Sequence, residues 1–170
     1  MNTNTLRILS LTFWLSVSCQ LVTAEDWPWF LGPRHTGVSG EVELALDWTE
    51  KSPPVVWKEA IGTGYSAPSV QGDRLVIHHR MKNHEIVSCR KAQSGEEIWS
   101  HAYPTEYVDP YGYNNGPRCS PVLTTDRCMT LGAEGMLACT SLADGKLIWE
   151  KDLRKEFTLP DSFFGVGCTP

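Results

Sequence analysis

The chain has 170 residues, with 15 Lys and Arg against 20 Asp and Glu, for a formal net charge of −5. That length suits one modest domain, and the acidic balance excludes a nucleic-acid partner, because phosphate binding needs clustered Lys and Arg. The one basic cluster, KDLRKEF at 151–157, is interrupted by Asp152 and Glu156 and reads as a solvated loop.

Residues 1–24 have the layout of a secretory signal. Arg7 precedes the charge-free apolar run ILSLTFWLSVSCQLV, and VTA ends the segment at Ala24 with small or β-branched residues suited to a signal peptidase. Ser, Cys and Gln inside the run make it a poor membrane span. No other stretch is apolar enough to cross a bilayer. The expectation is an exported protein, periplasmic or extracellular. A lipoprotein acylated at Cys19 is the alternative, and Ser16 fits poorly three positions before such a cysteine. Removal of the signal leaves Cys89, Cys119, Cys128, Cys139 and Cys168. An odd count in an oxidising compartment means at least one free thiol or an intermolecular bridge.

After an N-terminal segment and partial blade (25–66), whose unit ends on Trp57, the chain writes one pattern twice. SCRKAQSGEEIW (88–99) and ACTSLADGKLIW (138–149) place Cys, Gly and Trp alike: Cys89, Gly95 and Trp99, then Cys139, Gly145 and Trp149. Upstream, Pro68, Asp73 and Arg74 match Pro121, Asp126 and Arg127. Each block reads as four short strands, predicted at 68–71, 74–79, 85–90 and 96–100, then at 121–124, 127–132, 136–141 and 146–150. Gly-Asp, Thr-Asp, Glu-Gly, Ser-Gly and Asp-Gly turns separate them, which are hairpin signals, and no amphipathic helix stands out. Four antiparallel strands repeated at this spacing are the signature of an all-β fold, the β-propeller. The blades span 67–118 and 119–167, each with a long exit loop, and GVGCTP, repeating GPRCSP, opens a further unit at 168–170. Rings typically need four to eight blades, so the expectation is a fragment of a larger ring. Trp99 and Trp149 are expected as inter-blade wedges, and Gly95 and Gly145 as turn residues with positive φ.

The spacing Cys-x-x-x-x-Ser-Gly-x-x-x-Trp resembles the tryptophan-docking motif of pyrroloquinoline-quinone-type propeller repeats. Gly95, Trp99, Gly145 and Trp149 match it, while Cys89, Lys91, Ser94, Cys139, Ser141 and Asp144 depart from it. DWPWFLGPRHTGVSGE, VVWKEAIGTGYSAPSV and GPRCSPVL extend the likeness to secreted quinoprotein-like propellers of planctomycete type over essentially the whole mature chain. The resemblance implies an eight-bladed ring and admits two functions. One is a scaffold, as in the outer-membrane assembly propeller lipoprotein. The other is a quinone-dependent alcohol dehydrogenase, which holds pyrroloquinoline quinone and calcium beneath an adjacent Cys-Cys disulfide. This sequence has no Cys-Cys pair. Asp109, Asn114 and Asn115 share one loop, but calcium wants six to eight oxygens. Neither cofactor is expected here, and both belong to the alternative reading.

Strand parity places the short turns on one face and the long segments 100–118 and 151–167 on the other. Loops that long are usually functional. Tyr111, Tyr113, Asn114, Asn115 and Arg118 lie in the first, with Tyr107, and are the candidate site for a protein or envelope component. They also suit a loop packed onto its own blade. Arg118 is the foremost candidate, since it precedes an innermost strand near the channel mouth. His78 and His79 are adjacent on a strand, point to opposite faces and cannot chelate together, so no metal site is expected. Cys128 and Cys139 lie on consecutive strands of one hairpin. With GAEG as the turn, Leu131 faces Met136 and the two cysteines stand opposite each other, within disulfide reach. The unpaired Cys89 in the other blade points instead to packing.

Overall fold

In the computed structural model, which describes residues 24–42, 44–45, 47–158, 164–167 and 170, eight strands form two four-stranded antiparallel sheets. The first holds β1 (Ser69–Gln71), β2 (Arg74–Met81), β3 (His84–Lys91) and β4 (Glu97–Pro104), in chain order across the sheet. The second repeats the order with β5 (Val122–Leu123), β6 (Arg127–Leu131), β7 (Met136–Ser141) and β8 (Leu147–Asp152). A single helical turn, α1 (Leu153–Glu156), follows β8, started by the Asp152 side chain accepting from the Arg154 N–H. Apart from Ala24, the expected leader lies outside the described residues, as do Cys19 and Cys168.

The inner strands converge. The Ser69 hydroxyl, fully buried, donates to the Pro121 carbonyl at 2.6 Å, and the Ala67 N–H donates to the Ser120 hydroxyl at 3.1 Å. The N-terminal segment lies across this seam. Trp27 and Val70 exchange both backbone hydrogen bonds, and the Pro28 carbonyl accepts from Leu123 N–H at 2.8 Å. The Asp26 carboxylate also accepts from the Gln71 amide and the Gly72 N–H.

Between the blades, Val76, Val87, Cys89 and Trp99 pack against Leu123, Cys128 and Leu142. The two docks follow one geometry. The Trp57 indole donates to the Ala92 carbonyl at 2.8 Å and its ring fills the space over Gly95. The Trp99 indole donates to the Leu142 carbonyl at 3.0 Å and lies over Gly145. In both, the acceptor precedes a glycine with φ near +70° by three residues. A Cβ on either glycine would fall 2.7 or 2.5 Å from the ring, so only glycine admits the indole. Each ring removes on the order of 200 Å² from water, worth about 4–5 kcal/mol before entropy at about 25 cal/mol per Å². Arg74 adds a second donor, at 3.1 Å, to the same Leu142 carbonyl.

One expectation needs correcting. Leu131 pairs with Leu137, Met129 with Cys139 and Cys128 with Thr140. The turn is closed by Gly132 N–H to Met136 O, with Gly135 at φ +93°. The tight turn therefore holds three residues, and the register moves by one from the four-residue turn expected. A one-residue slip sends a side chain to the other face. Cys128 faces the first blade and Cys139 faces away, so the two are not opposed. Cys89, Cys128 and Cys139 are buried free thiols, and Cys119 is buried as well.

Candidate functional site

The loop 105–121 follows β4 and is clamped before its tip. Thr105 N–H donates to the Asn83 carbonyl, and the Glu134 carboxylate accepts from the Thr105 hydroxyl at 2.8 Å and the Glu106 N–H at 2.9 Å. Beneath it, the buried Arg80 guanidinium donates to the carbonyls of Tyr107 and Asn115, at 2.5 and 2.9 Å, and its Nε to Lys82 at 2.7 Å. Sequence reasoning passed over Arg80. Its only signal was an arginine following two histidines near the end of an otherwise apolar strand.

Arg118 turns inward rather than presenting itself at the channel mouth. Its guanidinium pairs with Asp109 at 3.1 Å, where the carboxylate is fully buried, and donates to the carbonyls of Asn114, Phe164 and Gly116. It stacks 4.8 Å from the Tyr107 ring centroid and 5.6 Å from that of Tyr65. Asp109 accepts in addition from the N–H groups of Tyr111 and Asn114. The Asn115 side-chain oxygen accepts from Asp109 N–H, and that of Asn114 from Gly116 N–H. The polar members of the candidate set are thus the frame of the loop.

What the frame presents is aromatic. Tyr111 and Tyr113 are 52% and 70% exposed, with ring centroids 6.0 Å apart and planes 20° from parallel. Gly112 between them, at φ +73°, lets both rings reach one side. Phe164 extends the row, 5.7 Å from Tyr111, and Tyr65 is exposed on the far side of Arg118.

A second polar group lies at the blade junction on the same face. The buried Glu85 carboxylate accepts from the Tyr103 hydroxyl at 2.7 Å and, across the junction, from Ala133 N–H at 3.0 Å. His78 Nε2 stands 3.4 Å from it and 3.0 Å from the Tyr103 hydroxyl. Burial alone would raise the Glu85 pKa, but His78, Tyr103 and Ala133 outweigh it and hold the carboxyl below its ordinary range. Burial and the neighbouring carboxylate push the Tyr103 phenol far above its usual value.

The oxygens of Asp109, Asn114 and Asn115 are taken by donors of the loop itself, and a guanidinium stands beside Asp109. That set does not fit calcium, which needs open oxygen ligands without a competing cation. Among the described residues no group of three or more His, Cys, Asp or Glu is placed to hold a metal ion. Nor is any described helix long and apolar enough to cross a membrane.

Paired four-stranded blades joined by tryptophan-over-glycine docks define the chain as a β-propeller repeat protein. Residues 83–160 are similar to repeats of the pyrroloquinoline-quinone type: they match the PQQ_2 family model, described as outer membrane protein assembly factor BamB. Among solved structures the chain is similar to a europium-containing methanol dehydrogenase, at 13% identity and a TM-score of 0.31, over 54% of this chain and 25% of that one. The likeness therefore spans a quarter of that enzyme's length. Comparison with curated proteins finds no match.

Proposed function

We propose that this is an exported propeller module that binds a protein or envelope component through its long-loop face and performs no chemistry of its own. The observation that carries the reading is the exposed Tyr111–Tyr113 pair on a loop immobilised by Asp109, Arg80 and Arg118. A rigid, amphipathic aromatic surface binds at little cost in conformational entropy, which suits tyrosine to partner recognition. The family match to an assembly factor and the signal-like segment 1–24 support the same reading. The alternative, a quinone-dependent oxidoreductase in full-length form, gains no ligand set from this loop.

The test is site-specific photo-crosslinking in cells exporting the protein, with the probe at position 113 and, as control, at position 144 on the short-turn face. A discrete adduct in the envelope fraction from position 113 alone, weakened by Tyr111→Ser, is expected. Equal adducts from both positions, or none from position 113, contradict the assignment.

A further inference from the structure

We infer that cleavage after Ala24 turns the Glu25 nitrogen into an ammonium that pairs with Glu41, completing a clasp of alternating charges that fastens the N-terminal segment over the inner seam of both blades. This rests on the export reading above. The geometry is already laid out around Glu25. Its backbone nitrogen lies 2.5 Å from Glu41 Oε1. Its carboxylate is held at both oxygens by Arg34, at 2.5 and 3.1 Å, and accepts from Gly40 N–H at 2.9 Å. Arg34 donates onward to the Val38 carbonyl at 3.0 Å. The loop from 25 to 41 is therefore closed on itself by the first residue after the expected cleavage point.

While the leader is attached, that nitrogen is a neutral amide with one hydrogen to give. Hydrolysis by a signal peptidase adds water across the Ala24–Glu25 amide. The carboxylate stays on Ala24, and the released amine of Glu25 takes up a proton. The order of charges then runs Glu41 carboxylate, Glu25 ammonium, Glu25 carboxylate, Arg34 guanidinium. Charge-assisted hydrogen bonds of this kind are roughly twice as strong as neutral ones. The charged groups facing the new ammonium are Glu41 and the Glu25 carboxylate, with Arg34 beyond it. The Asp26 carboxylate is turned away to Gln71 and Gly72, and His35 stacks on Trp29. Asp26, Trp27 and Pro28 follow immediately and make the contacts to β1 and β5. The clasp thus sits at the root of the segment that bridges the blades.

An α-amino group ordinarily titrates near about 7.7–8.0. Pairing with a carboxylate raises that value in the folded protein. The clasp therefore contributes fully below the ordinary value and is lost as pH rises through the raised one.

The experiment uses the whole chain secreted with its own leader. N-terminal sequencing and intact mass should give Glu25 as the first residue. Any other first residue, or the added mass of a lipid at Cys19, overturns the processing step and the clasp with it. Competitive acylation of the α-amine across pH 6–11 then reads its pKa in native protein and in urea. A native value about one unit above the unfolded one, abolished by Glu41→Gln, is expected. The same substitution should lower the Tm by about 2 °C at pH 7 and leave it unchanged near pH 10.5. A Glu25 terminus whose native and urea values coincide overturns the clasp while leaving export intact. That comparison needs only the unsubstituted protein.

Discussion

The Trp99 indole gives its hydrogen to the Leu142 carbonyl of the following blade, at 3.0 Å, while its ring occupies the only space a side chain on Gly145 could take. Gly145→Ala should therefore be severe. It forces an alanine to φ +71° and puts a Cβ 2.5 Å from the ring. Overpacking and backbone strain together are expected to cost about 2–4 kcal/mol in urea unfolding. Gly72→Ala is the control: its φ is +59°, but nothing lies within 4 Å of the added carbon. It should cost only the backbone part, about 1 kcal/mol.

Trp149 repeats Trp99 in sequence, but the surroundings differ: Trp99 is 7% exposed and Trp149 is 38% exposed. Trp99→Ser should cost about 3–5 kcal/mol, as large core truncations do. Trp149→Ser should cost less than half of that. Equal losses in chemical denaturation would show that the two rings are equally packed in solution.

The Glu85 carboxylate spans the blade junction, and its folded pKa is lowered. A carboxyl of that kind contributes stability above its unfolded pKa, about 4.3, and loses it as pH falls through the folded value. Unfolding free energy should therefore decline below about pH 5. Glu85→Gln should flatten that decline and cost about 1–3 kcal/mol at pH 7. A parallel acid limb in the variant would assign the pH dependence elsewhere.

Arg118 and Tyr113 make a pair of opposite tests within one loop. Arg118→Met leaves the fully buried Asp109 carboxylate without its cation and should cost about 3–5 kcal/mol. Tyr113→Ser removes a ring that is 70% exposed and should change stability by no more than about 0.5 kcal/mol. Thermal unfolding of the two variants checks both.

Burial pushes the Cys89 thiol up to about 11 and the Cys128 thiol up to about 12. Since the thiolate is the reactive form, neither should react with a disulfide reagent at pH 8 until the protein is unfolded. Non-reducing peptide mapping should find no Cys128–Cys139 bridge. Rapid native labelling of Cys89 would mean that the blade junction opens.

The blades were legible because their signals are local. Alternation of apolar residues, turn glycines and the twofold Gly-Trp spacing placed all eight strands within a few residues of where they stand. β2 and β4 run longer than expected, to Met81 and Pro104, because the Lys82–Asn83 turn is tight and lets pairing continue to Met81–His84 and His84–Pro104. The register of β6 and β7 was not legible. It hangs on whether Gly132 ends a strand or begins a turn, and both choices use the same four letters. The candidate loop was found by its length and its aromatics, but the roles inside it were not. Its place before an innermost strand made Arg118 look like the presenting group, whereas Asp109, considered only beside Asn114 and Asn115 as an oxygen ligand, draws it inward and leaves the tyrosines outside. Glu85 was invisible for a related reason: its partners His78, Tyr103 and Ala133 come from three other segments, and only the assembled junction brings them together.

The segment that bridges the inner seam also sets an order of events. Asp26, Trp27 and Pro28 are synthesised before either blade, yet Trp27 and Pro28 find their backbone partners in Val70 and Leu123, and the Asp26 carboxylate finds its own in Gln71 and Gly72. The stretch that emerges first is thus the one that must wait. Pairings between residues so distant along the chain are slow, because loop closure precedes their reward. β1–β4 can assemble as soon as their hairpins are made, and β5–β8 can add to them, but the seam stays unsealed until Leu123 arrives. During that interval Trp27 and Trp29, on either side of Pro28, are without their final surroundings.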